Sequence, residues 1–351
     1  MGISFYTFQT LSYSLDVYLK RSRPCKSFLD YALYVTFFPQ LVAGPIVRST
    51  EFLPQCVEPK PLKLENLAYG FGLIIMGLFL KIVLADALMA PMADGLYGSS
   101  GAHGWGDAWL GTLAFAIQIY CDFAGYSSCA IGAACALGFW LPPNFNSPYA
   151  ALGFSDFWRR WHISLSTWLR DYLYIVLGGN RKGVGRTQIN LMITMALGGL
   201  WHGASWTLVA WGVLHGGYLI VERWLTALLG HQAIWKRWPG QWLVWTLTLV
   251  ATCFAWVFFR SDSFPQALEI CGAMLGASGA AVSSRFGVAD SVIVRSVLGG
   301  VLGANLLSRN LRLEEVFQRV PRWLLACGLA VMLMAILLSN GDDRAFIYFQ
   351  F

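Results

Sequence analysis

Residues Leu191–Val221 read LMITMALGGLWHGASWTLVAWGVLHGGYLIV, an apolar run whose only ionisable side chains are His202 and His215. Crossing the hydrocarbon layer takes roughly 20 mostly apolar residues, so this run is long enough to span a bilayer. His202 falls about twelve residues into it, roughly 18 Å along a helix, which predicts a position near the bilayer midplane. An ionisable side chain at that depth is costly and is by default a functional-site hypothesis. Gly198, Gly199, Gly203, Ala204 and Ser205 surround it with small side chains that allow close helix approach or leave room beside the ring. Neutral imidazole accepts a proton near pH 7, which suits the deprotonation of a hydroxyl nucleophile. The plainer alternative is a histidine hydrogen-bonded between helices. His215 lies about 220° around and nearly 20 Å further along an ideal helix. The two histidines share a site only if the helix breaks, so His215 reads as packing.

The rest of the 351-residue chain has the same character. It is 56% hydrophobic and 13% charged, against about a quarter charged in ordinary soluble domains. Further apolar runs occupy Phe71–Met92, Trp109–Leu141, Gln241–Phe259, Ser291–Leu307 and Trp323–Ser339, with weaker ones at Ile3–Leu19, Phe28–Ala43 and Ala267–Val282. The fold class is all-α: a polytopic membrane protein with about eight transmembrane helices in a single membrane domain. The net charge of +6 is not a nucleic-acid signal, because the cations gather in short loops. Lys20, Arg21, Arg23 and Lys26 form one group, and Arg181, Lys182 and Arg186 another. Such loops are cytoplasmic by the positive-inside rule, which puts the Asp156–Arg186 region on the cytoplasmic side. The eight cysteines form no C-x-x-C pair and no zinc spacing, and most lie in apolar runs as small hydrophobes.

Asp156–Arg186, DFWRRWHISLSTWLRDYLYIVLGGNRKGVGR, precedes the opening run. Trp158, Trp161, Leu165, Trp168 and Tyr172 are spaced three, four, three and four apart, one stripe down an amphipathic helix. Such a helix suits the headgroup level, either as an interfacial anchor or as the cytoplasmic mouth of a site. His162 lies four residues before Ser166, on the same helical face. Asp122, in YCDFAGYS, is a carboxylate well inside an apolar run, and it needs a partner there or becomes protonated. Lys81 is placed similarly and is expected to snorkel. Pro142–Tyr149 (PPNFNSPY) ends any helix before it. No G-x-S-x-G elbow, P-loop, dinucleotide glycine pattern or H-E-x-x-H occurs, which leaves serine-elbow hydrolysis and nucleotide-driven pumping without support.

These motifs, together with FFPQLVAGPI (Phe37–Ile46), GGLWHGASW (Gly198–Trp206) and the terminal FIYFQF (Phe346–Phe351), resemble the membrane-bound O-acyltransferase superfamily, in particular its bacterial alginate O-acetyltransferase branch. The resemblance implies interfacial and re-entrant helices around a central tunnel. It implies catalytic roles for His202 and His162, and substrate-binding roles for Arg159, Arg160, Arg170, Trp161, Asp122 and Trp201. The implied donor substrate is acetyl-coenzyme A, with no bound cofactor and no metal. The implied acceptor is an extracytoplasmic polysaccharide hydroxyl or a periplasmic partner protein that relays the acetyl group, at the bacterial inner membrane. The family usually has roughly a hundred further residues before the segment that opens here at Gly2, so helices usual in the family are expected to be absent. It also usually reads G-Y-S-D where this chain has Gly125–Ser128, which leaves Asp122 as the expected sole acid of its helix. The rival readings are an exporter of a polymer or lipid-linked sugar and an inactive scaffold.

Overall fold

The computed structural model describes residues 3–41, 44–99, 101, 103–230, 232–277, 284–311, 313–339, 344 and 346. Two of the motifs therefore fall partly outside the described residues, at Val42–Ala43 and from Ile347 onward.

The described residues contain helices and loops and no strand. In chain order the helices are α1 (Ile3–Tyr18), α2 (Phe28–Thr36), α3 (Ser49–Val57), α4 (Leu64–Leu78), α5 (Ala90–Tyr97), α6 (Trp105–Ala136), α7 (Phe154–Arg160) and α8 (Ile163–Leu169). They continue as α9 (Gly183–His202), α10 (Trp206–Leu229), α11 (Trp238–Arg260), α12 (Phe264–Met274), α13 (Val288–Leu307), α14 (Leu313–Arg319) and α15 (Arg322–Leu338). A wider π-helical stretch, Phe79–Met89, joins α4 to α5 without interruption. Among the described residues three helices are long and apolar enough to cross a membrane: Leu64–Tyr97, Trp238–Arg260 and Val288–Leu307. Arg322–Leu338 is apolar but shorter. Of the about eight spans expected, these three meet both length and composition among the described residues, and the Leu191–Val221 run is divided by a turn.

The longest contact lies between the first of these helices and α6. Gly70 faces Gly132 and Gly77 faces Gly125, each so close that an added Cβ would sit 2.5 Å from the opposing carbonyl oxygen. Glycines seven residues apart on both helices let the two backbones meet, the packing expected where dispersion rather than water drives association. α6 begins at Trp105 and so also contains Asp107, whose carboxylate accepts from Ser284 (2.8 Å) and from the Arg285 amide (2.7 Å). Asp122 is therefore not the only acid of its helix.

The run Leu191–Val221 is not one helix. α9 starts earlier, at Gly183, and ends at His202; the chain turns through Gly203–Ser205 and α10 runs back. Ser205 caps the new helix by accepting from the Thr207 amide at 3.3 Å, and the Thr207 hydroxyl donates to the Ser261 carbonyl at 3.2 Å. Close to the turn the helices nearly touch: a Cβ on Gly199 would lie 2.2 Å from the Leu208 carbonyl oxygen, and one on Gly212 the same distance from that of Met195. His202 is therefore a helix terminus, about 28 Å of helix away from the basic Arg181–Lys182 loop. It does not sit in the middle of one continuous helix.

The stripe Trp158–Tyr172 is also broken. α7 ends at Arg160, and His162 takes the left-handed conformation (φ 42°, ψ 54°) before α8 begins. That conformation costs a residue with a Cβ roughly 1–2 kcal/mol. The Pro142–Tyr149 loop holds it in place. The Ile163 amide donates to the Asn144 carbonyl (2.9 Å), the Ser164 hydroxyl to Asn144 Oδ1 (2.6 Å), and the Asn146 amide to the Arg160 carbonyl (3.0 Å). Trp161 and Trp168 are buried in the core as a result, not spread along a headgroup-level face.

The α9–α10 contact gives a direct test. Gly199→Val drives two methyl groups into the Leu208 backbone, and overpacking of this kind costs about 1–3 kcal/mol. Its thermal midpoint in detergent should fall clearly below that of the wild type. Gly217→Ala, whose Cβ meets nothing within 4 Å, should melt with the wild type.

Candidate active site

His202 sits in an aromatic box built from three helices. Its imidazole lies 5.0 Å from the neighbouring Trp201 ring, 5.1 Å from Trp211 of α10 and 5.2 Å from Phe259 of α11, edge-to-face in each case. The ring is half-buried, and its turn carries the exposed Ala204 and Trp206. His162 is 1% exposed and meets Phe123 of α6 edge-on at 4.6 Å. Trp201 lies between the two histidines, with its indole 6.2 Å from His162. α1 closes this wall: Phe8 stacks on Trp201 at 5.2 Å and on Trp168 at 4.0 Å, and Trp168 Nε1 donates to the Phe8 carbonyl. Two histidines 40 positions apart in sequence thus flank one indole.

Because the helix reverses, His215 joins the neighbourhood. It is fully buried, 5.0 Å from the Trp211 ring and stacked on Phe157 at 5.8 Å. Trp211 therefore has His202 on one side and His215 on another. The continuous-helix reading placed these histidines nearly 20 Å apart and missed this, since nothing in hydropathy marks a reversal inside an apolar run.

The other expected site residues disperse. Trp161 is 2% exposed and packs on Trp256 (5.0 Å), Phe145 (5.1 Å) and Phe157 (5.6 Å) in the core. Arg160 is engaged by Asp156 (3.0 Å) and donates to the carbonyls of Asn146 and Arg309. Arg159 is exposed. Arg170 pairs with Asp171 (2.6 Å), which also accepts from Arg48. Burial alone would push the Asp171 carboxyl up, but the hydrogen bonds from Arg170 and Arg48 outweigh it and hold it below the usual carboxylate range.

Asp122 is paired with Lys81, at 2.6 Å, and Lys81 also bridges to Asp86 at 2.9 Å. Lys81 therefore does not snorkel. Residues five apart diverge by about 140° on an α-helix but align where the winding is i→i+5, so the π-helical stretch is what lets Lys81 and Asp86 meet. Asp86 was not legible as a site residue for that reason.

A cavity of about 780 Å³ opens between the first spanning helix, α6 and α13. Tyr120, Ser127, Ser128, Asn144, Ile163 and Asn305 contribute to its lining. Neither His162 nor His202 lines it; its approach to the box is through Ile163, the residue after His162. Ser128, the position where the acid of the related pattern is replaced, faces this cavity.

Two measurements follow. Lys81→Met leaves two carboxylates without their cation, a loss of about 3–5 kcal/mol for a broken buried pair. Adding Asp122→Asn should recover part of it in thermal unfolding. Asp171, outside the spanning helices, has a lowered folded pKa, so its contribution is present above the ordinary carboxylate pKa and lost as pH falls through the lower folded value. The stability gap between wild type and Asp171→Asn should accordingly close in acid and stay constant near neutrality.

With the geometry in place, comparison with known proteins is informative. The pattern described as "MBOAT, membrane-bound O-acyltransferase family" matches residues 3–260. The chain is 43% identical over 274 residues to a probable alginate O-acetylase of Azotobacter vinelandii, covering 78% of this chain and 53% of that protein. It is 39% identical over 305 residues to a peptidoglycan O-acetyltransferase of Helicobacter pylori, covering 80% and 57%. It is 30% identical over 241 residues to a teichoic acid D-alanyltransferase of Streptococcus thermophilus, covering 64% and 57%. The chain spans about half the length of these relatives. Since the family match takes in the aromatic box, both of its histidines and the helix reversal that forms it, the chain belongs to the membrane-bound O-acyltransferase family.

Proposed function

We propose that this chain carries the reaction centre of an inner-membrane O-acyltransferase. It moves an acetyl group from cytoplasmic acetyl-coenzyme A toward hydroxyls of an extracytoplasmic polysaccharide, or toward a periplasmic partner protein that relays the group. The observation that supports this best is the half-buried His202 at the end of α9, sharing Trp201 with His162 and lying a helix length from the basic loop. That placement suits a residue reached by the acceptor from one side of the membrane and by the thioester from the other.

In the reaction, the acceptor oxygen attacks the thioester carbonyl as His202 takes its proton. The tetrahedral intermediate then collapses, the C–S bond breaks, and the imidazolium returns the proton to the sulfur, releasing free coenzyme A. The imidazolium forms at the C-terminal end of α9, where the helix dipole favours positive charge. Trp211 Nε1 is a donor the box can offer the oxyanion: it is buried and has no hydrogen-bond partner among the described residues. Exclusion of water by the surrounding rings strengthens such a contact. Arg159, one of the exposed arginines of the basic side, is available to attract the anionic donor. His162, packed between Phe123 and Trp201, braces the box.

The test is release of coenzyme A from acetyl-coenzyme A by the purified protein in lipid nanodiscs, with acceptor present. His202→Ala should lower the rate by about 10²–10⁴, the usual worth of a general base, while melting like the wild type. Equal rates for the two proteins would end this proposal. Solute flux without thioester consumption would instead identify an exporter.

A further inference from the structure

The FIYFQF motif has no part in the chemistry above, yet its first residue is tied to the site. Phe346 is 5% exposed although it belongs to no helix. Its ring lies 5.7 Å from Phe123 and 5.1 Å from Tyr126, both on α6. Phe123 is the ring that meets His162 at 4.6 Å, so Phe346 and His162 contact one side chain. Two residues earlier, Arg344 pairs with Asp94, which also holds Arg260 at 3.0 Å. The residue before Arg260 is Phe259, a wall of the His202 box, and the residue after it is Ser261, which accepts from Thr207 beyond the helix reversal. The two side chains thus lead to the two histidines by separate routes, Phe346 through Phe123 and Arg344 through Asp94 and Arg260. Arg344 and Phe346 are at most about 7 Å apart along the chain, so the two contacts act close to one another. Direct packing between α6 and α9 is slight among the described residues, so beside Trp201, which lies between the two histidines, these two side chains supply a second link between the His162 and His202 walls.

We propose that Arg344 and Phe346 form a positioning strap for the acyl-transfer site, setting the separation of the His162 and His202 walls. The strap rests on the acyltransferase reading for what that separation serves. Misplacement by about 1 Å costs a positioned reaction up to about 10²-fold in rate, and this is the scale of effect the strap predicts.

The experiment compares Phe346→Ala, Phe346→Leu, Arg344→Met and Arg344→Lys with wild type and His202→Ala, all as full chains in nanodiscs. Phe346→Ala and Arg344→Met should each lower kcat by about 10–10²-fold with KM for acetyl-coenzyme A within about twofold. Phe346→Leu and Arg344→Lys, which keep the bulk and the charge, should recover most of it. Unchanged kcat overturns the strap, as does a loss confined to KM or to the melting temperature without recovery by the conservative pair. Should Phe346→Ala not fold, the arginine pair carries the comparison. If wild type and His202→Ala are equally inactive, the acyltransferase reading has failed by itself. The strap is then judged by diethyl pyrocarbonate labelling of His162, read by mass spectrometry. Protection in wild type with labelling in Phe346→Ala or Arg344→Met supports it, and equal protection in all overturns it.

Discussion

A helix that ends inside an apolar protein must find partners for its last carbonyls and for the first amides of the next helix, because lipid offers none. At the reversal after His202 the Gly203 amide donates to the Leu200 carbonyl and the Thr207 amide to the Ser205 hydroxyl, while the Thr207 hydroxyl ties the turn to the Ser261 carbonyl just past α11. Once the reversal exists, the rest of the site follows. α10 returns against α9 across Gly199 and Gly212, Trp211 comes to face His202, and α11 docks with Phe259 on the third side. The break at Trp161–His162 obeys the same rule with a different lender, Asn144. In both places a histidine adjoins backbone that cannot continue as helix, and a polar residue from elsewhere in the chain makes the interruption tolerable.

The full charges are handled by a different device. Asp122, Lys81 and Asp86 form one chain of ion pairs, and Arg344, Asp94 and Arg260 another. Arg344 is also close enough to Asp86 for their charges to act on each other. The six formal charges cancel. A buried ion pair such as Lys81–Asp122 contributes little net stability, but removing one member is severe, so that buried group reads as a determinant of geometry. Among the described residues, His162, His202 and His215 are packed by aromatic rings and belong to neither chain of ion pairs.

Much of the candidate site was readable in the sequence as residue types. His202 is legible from its place in an apolar run, and Trp201 and His162 from the motifs that carry the family resemblance. Their mutual arrangement is not, since it depends on two helix breaks. Arg160 and Trp161 show the converse failure: in a motif rich in arginine and tryptophan they look like ligand contacts, yet one is held by Asp156 and carbonyls and the other is core. The pairing of Lys81 with Asp86 is hidden from a uniform 3.6-residue spacing, because the wider π-type winding realigns them.

Composition and the length of the apolar runs determined the all-helical membrane class, because the energetics of hydrocarbon burial depend on residue type and run length alone. Motif order determined the family. Tertiary structure alone decided where the runs break, which charges pair, and that His162, His202 and His215 come together around the indoles of Trp201 and Trp211. Those outcomes rest on hydrogen bonds and contacts whose partners lie up to a hundred and more residues away, such as Asn144 for Ser164, Ser261 for Thr207 and Asp94 for Arg260. No local periodicity records them.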